Sequence, residues 1–550
     1  MRLIPYLILF FLAIGLKANA ESQKLYLYLK PEVKQTDFDP YAYFAPEAIE
    51  RRIKHQLPLY DFHDLPIDPV YYHQVEAAAD SVKMYSRWLN MMVVYGTADA
   101  FESFPFIESI KIPAQREKIF MQAKEEAPDK DKQDSIKNYL QPFKLLVAQT
   151  ERMQGSHFYL NNKRGKDIKI AIFDAGFRGT DRNEHLSHLF ENGQIEKTYD
   201  FVGDGENVFR SSSHGTSVLG CIAGIYQESH PIGLATEARF YLARTENIWK
   251  EDKSEEENWL AAAEWADKNG VQIINSSLGY GDQIYQLSEM DGQTAIIAQA
   301  ARFATRKGIL VVNSAGNEGT DRWRYISAPA DVDSVLTVGG MNIFNDHTTA
   351  FSSLGPNMLS EKKPNVTAPG VVFTTGSGIS NMTIVMGTSF SSPLVAGFAA
   401  CVWEQYPEMT NMEVFESIEK SAHLYPYFDF RHGHGVPQAT YFDEFTSKSV
   451  SPTFQVDKIK ERSVEVSLNK SVLPEERSQK DLLLFYHITA ENGNVAYYSV
   501  LKIPSKNNNV TLPFSRMIEN GILPKDGFHI KIHFEGYTQQ KALNPQNSKQ

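Results

Sequence analysis

Ile168-Lys169-Ile170-Ala171-Ile172-Phe173-Asp174-Ala175-Gly176 decides how this 550-residue chain is read. Apart from Lys169 the run from 168 to 173 is apolar, as in a strand buried on both faces, and it stops at an acid followed by a small residue and a glycine. Similar runs lie at 239–243, 271–275, 309–313 and 335–338, with helix-like stretches at 259–268 and 294–307, the second stopped by Gly308. Such alternation predicts an α/β fold with a mainly parallel sheet and right-handed crossovers. Ligands of these sheets bind beyond the carboxyl ends of the strands, where Asp174 and residues 313–317 fall.

Two further segments carry chemistry: His214-Gly215-Thr216 and Gly387-Thr388-Ser389-Phe390-Ser391-Ser392-Pro393. A serine hydroxyl attacks carbonyl carbon only when a base takes its proton and an acid orients that base. Each segment alone is weak; together they supply acid, base and nucleophile. Their order, Asp, His, Ser, is neither that of α/β-hydrolases nor that of chymotrypsin-like folds, and no Gly-x-Ser-x-Gly elbow surrounds Ser389, which argues against an esterase or lipase.

With these segments, residues 165–440 resemble the subtilases, the subtilisin-like serine endopeptidases. The resemblance implies a subtilisin-like sheet flanked by helices, with Asp174 holding the imidazole of His214, His214 as base and Ser389 as nucleophile of an acyl-enzyme. Ser314-Ala315-Gly316-Asn317-Glu318-Gly319 matches the segment that supplies an oxyanion-hole amide, making Asn317 the partner of the Ser389 N–H. Asn275-Ser276-Ser277-Leu278-Gly279 matches the edge on which substrate adds as a strand, so Ser277, Leu278 and Gly279, facing Ala315 and Gly316, are the expected substrate-binding residues. The helix is expected to begin just after Ser389 with Pro393 in its first turn. Two family marks differ: Asn365 stands where an aspartate is usual, and Phe390-Ser391-Ser392 replaces Met-Ala-Ala. Acids at 246–257 have two readings, a subsite favouring basic substrate residues or a helix start with a Ser254/Glu257 capping box.

Around this core the sequence suggests further parts. Residues 1–20 read as a cleaved secretory signal, so the protein is expected to be secreted, on the cell surface or periplasmic, and no later apolar run is long enough for a membrane span. Residues 21–113 read as an α+β domain with strands at 25–29, 91–95 and 107–112 and a helix at 46–55; the resemblance makes it a propeptide that inhibits its own catalytic domain. A charged linker at 114–150, a catalytic domain at 151–445 and a β-sandwich-like domain at 446–550 complete the expected order.

The formal net charge of −12 and short basic stretches exclude non-specific nucleic-acid binding. Cys221 and Cys401 read as buried thiols, with a disulfide left open by export. His185, His188, His432 and His434 lack evident acid or thiol partners and read as loop residues, so no metal site is expected among them. The chemistry requires no cofactor; structural calcium is frequent in the family, and no regularly spaced oxygen ligands place it here. The expected partners are protein or peptide substrates and the chain's own propeptide. The alternative is a catalytically inactive binding or adhesion protein on the same fold.

Overall fold

The computed structural model describes residues 22–113, 117–119, 142–227, 230–282, 284–443, 451–460, 463–472, 482–490, 493–504, 508–514 and 528–543. The expected secretory signal and most of the expected linker lie outside them. Two compact units are present, residues 1–38 with 61–114, and residues 39–60 with 115–550.

In the smaller unit, four antiparallel strands lie in the order Ser81–Ser86, Met91–Gly96, Gln23–Leu29, Ile107–Lys111. Leu25, Leu27, Met92, Val94, Phe101 and Phe106 form its core. Strand Ser81–Ser86 was not expected from sequence; it is an edge strand of mixed burial and carries no apolar run.

The larger unit is built on seven parallel strands. Their order is Val366–Pro369, Leu336–Met341, Leu310–Ser314, Ile273–Ser276, Lys169–Asp174, Arg239–Arg244, Ile195–Asp200. Along the chain the first three strands fill one side of the sheet and the next four the other. Connections therefore reverse direction between the Asp174 and Ser276 strands, leaving a crevice at their carboxyl ends. Residues alternate in facing: Ile170 and Ile172 enter a core shared with helices His214–Ala223, Thr388–Gln405 and Asn411–Ser421, whereas Phe173 meets Trp259 of helix Lys253–Lys268 with ring centroids 5.3 Å apart. Full burial of central strands explains why their sequences read as continuous apolar runs.

Residues 454–543 form two antiparallel sheets, of three and four strands, around a shared core that includes Val464, Val466, Leu484, Tyr486, Ile530 and Ile532. This is the expected β-sandwich-like region. Cys221 and Cys401 are both buried and unpaired, so the disulfide left open is not formed; burial pushes the Cys221 thiol up to about 12.

One expectation is corrected here for three histidines. His185 and His188 lie in the short helices Glu184–Leu186 and Ser187–Glu191 rather than in loops, and His185 Nε2 lies 3.7 Å from Glu184 Oε1. His432 does have an acid partner: its Nδ1 stands 3.0 Å from Asp429 Oδ2, both fully buried, because the chain turns back on itself between them. The same loop packs on the sandwich. His434 Nδ1 meets the Tyr427 carbonyl at 2.7 Å, His487 Nδ1 meets the Phe428 carbonyl, and His533 Nδ1 lies 2.7 Å from Thr538 Oγ1. Burial, with Lys362 and Lys531 adding repulsion at His434 and His487, pushes all three histidines down to about 4.

These depressed values set a pH window. Unfolded histidines take protons near pH 6.5 while the folded ones resist until about 4, so the unfolded state gains protons first and stability falls as pH drops between these values. Urea midpoints are expected to decrease from pH 7 to pH 4.5, with a slope of at most about 1.4 kcal/mol per pH unit for each histidine. In His487→Asn the side-chain amide replaces the titrating ring, and equilibrium unfolding across this range should show a shallower slope.

Candidate functional site

Asp174 ends its strand and is only 1% exposed. Its Oδ1 accepts the Ala175 amide at 2.8 Å, and its Oδ2 lies 2.8 Å from His214 Nδ1. The carboxylate thereby fixes the ring plane and turns Nε2 to the opposite side. His214 is the first residue of its helix, and that helix reaches the Asp174 loop because Gly215 donates its amide to the Gly176 carbonyl at 3.1 Å. A Cβ on Gly215 would sit 2.6 Å from that oxygen, so only glycine permits the approach.

Ser389 is the second residue of helix Thr388–Gln405, entered through Gly387 at φ 144°. That backbone conformation belongs to glycine. The helix thus begins two residues earlier than expected, and Pro393 lies in the second turn, correcting its expected place in the first. The consequence is chemical: Pro393 has no N–H to give to the carbonyl four residues before it, which is that of Ser389. The Ser277 hydroxyl donates to this carbonyl instead, at 2.8 Å. Behind Ser277 stands Asn275, whose Nδ2 donates to Ser277 Oγ at 3.0 Å and whose Oδ1 accepts the Ser392 hydroxyl at 2.8 Å. The Ser389 helix is therefore tied to the end of the Ser276 strand from both sides. The neighbouring Phe390 packs on the His214 ring with centroids 5.2 Å apart, which brings the imidazole and the Ser389 turn to one place.

Asn317 is exposed, and its amide orientation is set by its oxygen. Oδ1 accepts the Thr388 amide at 2.9 Å and lies 3.0 Å from the Thr388 hydroxyl. Nδ2, which makes no hydrogen bond among the described residues, flanks the Gly387 turn. On the opposite wall, Leu278 is held through its carbonyl by Asn313 Nδ2 at 2.9 Å. Gly279 makes no backbone hydrogen bond among the described residues, as an edge open to an added strand requires. Ala315 and Gly316 are buried, with carbonyls taken by the Ser327 and Ser353 amides, so they underlie the wall.

Residues 165–435 match the model of the subtilase family, and residues 24–132 match the peptidase S8 propeptide domain of Bacteroidota. Subtilisin from Bacillus pumilus is 30% identical over 275 residues, half of this chain and 89% of that protein. The chain belongs to the subtilase family. Subtilisin DY from Bacillus licheniformis is 28% identical over 284 residues, 51% of this chain and 91% of that protein. Subtilisin NAT from Bacillus subtilis subsp. natto is 30% identical over 261 residues, 47% of this chain and 61% of that protein. As a subtilase the protein is a serine endopeptidase, with a chemistry that needs no cofactor. Among the described residues no three His, Cys, Asp or Glu side chains converge as metal ligands.

Several features escaped sequence reasoning. Ser277 reads as a substrate-edge residue, yet its hydroxyl turns inward; the signal was Pro393, which leaves one carbonyl without its helical partner. The family difference at Asn365 also has a reason: its Nδ2 donates to Glu419 Oε1 at 2.9 Å, where an ionised aspartate would oppose a second carboxylate. The acids at 246–257 divide. Glu255, Glu256 and Glu257 are buried, Glu256 accepting the Ile297 amide at 3.1 Å, and cannot meet basic substrate side chains. The expected Ser254/Glu257 capping box is replaced by Asp252, whose carboxylate accepts the Ser254 amide at 2.7 Å, because the helix begins at Lys253 and places Ser254 inside its first turn.

Ser277→Ala leaves the part-buried Ser389 carbonyl without this partner, a loss of about 1–3 kcal/mol. Peptide hydrolysis is expected to fall at least about fivefold in kcat with little change in KM, and Ser277→Thr, which keeps the hydroxyl, should recover most of it. Steady-state kinetics on one chromogenic peptide decides this.

Proposed function

We propose that this subtilase is an exported endopeptidase that cuts extended protein chains through an acyl-enzyme. Ser389 Oγ attacks the scissile carbonyl while His214 Nε2 takes its proton and later returns it to the leaving amine. Asp174 keeps the imidazole in place and stabilises its protonated form. The oxygen of the tetrahedral intermediate is received by Asn317 Nδ2 and the Ser389 amide, at the positive end of helix Thr388–Gln405. Substrate adds as a strand along Ser277, Leu278 and Gly279 over the wall underlain by Ala315 and Gly316. The observation that carries this reading is the 2.8 Å contact of His214 with Asp174, with the His214 ring packed on the residue after Ser389.

The propeptide reading adds an inhibitor in cis. Residues Glu117–Ile119 pair antiparallel with Lys250–Asp252, Lys250 opposite Ile119 and Asp252 opposite Glu117. That strand leads the chain into residues 120–141, and processing is placed in the interval 113–155 ahead of a catalytic domain at 151–445 and a β-rich domain at 446–550. Among the described residues no helix is long and apolar enough to cross a membrane. The reading of an inactive scaffold finds no support, since acid, base, nucleophile and amide are all in the chain.

Ser389→Ala in the full chain is expected to abolish casein hydrolysis and to leave the precursor at full length, whereas wild type shortens; equal hydrolysis and equal processing refute the proposal. Asn317→Ala should retain processing at a turnover lower by about two to three orders of magnitude, the cost established on subtilisin itself.

A further inference from the structure

Phe390 follows Ser389 in helix Thr388–Gln405, and its amide donates to the Gly387 carbonyl at 3.1 Å. The side chain is buried in the core shared by the sheet and its helices, where close packing leaves it little room to turn. Its ring nevertheless meets the imidazole of His214, the two planes inclined by 49° at a centroid separation of 5.2 Å. The His214 side chain is 34% exposed, so this contact lies at the margin between core and water. Phe390 stands where the family more often carries methionine, and a thioether has no aromatic face.

An aromatic ring is negatively polarised on its faces and attracts a cation within ~6 Å of its centroid, so it favours imidazolium over neutral imidazole. Burial works the other way, disfavouring the charged form whatever the covering side chain is made of. Phe390→Leu keeps the burial and loses the polarised face, which separates the two effects. The charges on the elements packed about His214 leave this part to Phe390. Asp174 lies 2.8 Å from Nδ1, and Arg244, beside Asp174 in the adjacent strand, is taken with Arg210 by Asp200, each at 2.9 Å. Arg178 lies in the turn after Asp174, where its amide donates to the Ser212 carbonyl at 2.9 Å. Helix His214–Ala223 contributes no Asp, Glu, Lys or Arg, and helix Thr388–Gln405 has only Glu404, at its far end. The near end of that second helix carries positive dipole charge, which opposes a cation, and Phe390 in its first turn offsets it.

We infer that Phe390 is a positioning residue acting through His214, its ring favouring the protonated imidazole that must form as Ser389 gives up its proton. The inference rests on the proposed triad for its part in hydrolysis, whereas the contact itself can be read on a chain that does not hydrolyse.

In the full Ser389→Ala chain, His214 is followed by the NMR signal of its isotope-labelled imidazole, identified by its loss when His214→Gln is added. Adding Phe390→Leu is expected to lower the titration midpoint by about 0.4–0.7 pH units, and Phe390→Tyr, which keeps the aromatic face, should leave it in place. In the active enzyme Phe390→Leu should move the acidic limb of kcat/KM on one chromogenic peptide down by the same amount. On the plateau kcat should fall by about two- to fivefold with KM unchanged, because the imidazolium is then less favoured in the transition state. A midpoint that stays or rises in Phe390→Leu overturns the inference, and so does a Phe390→Tyr chain that titrates like Phe390→Leu. A midpoint that falls while the acidic limb stays fixed upholds the contact and counts instead against His214 as the base. Phe390→Met supplies a second non-aromatic variant, so failure of Phe390→Leu to fold leaves the inference falsifiable.

Discussion

A carbonyl without a helical partner organises this site. Pro393 takes the amide away from the Ser389 oxygen, and everything that follows is a way of satisfying that oxygen without adding bulk beside the proposed nucleophile. The Ser277 hydroxyl does so, and it can only because the Ser276 strand ends level with the start of the Ser389 helix. Asn275 and Ser392 then fix the hydroxyl's direction from behind. A helix broken elsewhere would have left the serine backbone to water; here the break is converted into a cross-brace between helix and sheet.

The parallel sheet extends the same logic to the remaining groups. Because every strand ends at the same edge, Asp174, Ser277 and Asn317 arrive there from three adjacent strands, and the helices that begin there present amide groups rather than carbonyls. The His214 and Ser389 segments are each paired with a glycine for a separate geometric reason, the approach of two backbones at Gly215 and the positive φ at Gly387. Asn317 is held at its oxygen and open at its nitrogen, the division that its proposed role as oxyanion donor needs.

Central strands were legible in the sequence because burial on both faces leaves no polar alternation, and the segments with acid, base and serine were legible because their residue types are dictated by chemistry. Edge strands were not. Ile195–Asp200 reads Ile-Glu-Lys-Thr-Tyr-Asp, with much of one side facing water, and Val366–Pro369 is too short to show a period. The inward turn of Ser277 and the pairing of His432 with Asp429 depend on rotamers and chain reversal, which composition does not encode. The placement of Arg51 and Arg52 was the least legible: charged residues on the short helix Pro46–Lys54 read as a solvated face, and only the fold supplies the buried Asp267 that both guanidinium groups reach.

That placement also orders events during synthesis. Asp267 follows Arg51 by 216 residues, so at about 5–20 residues per second the two arginines wait on the order of 10–40 s for their carboxylate. Throughout that interval the two arginines lack both the Asp267 carboxylate and the helix ends that receive them. The contact is therefore unavailable until the sheet's fourth strand is being made, and the N-terminal region must keep these side chains in water, soluble and unspent, until then.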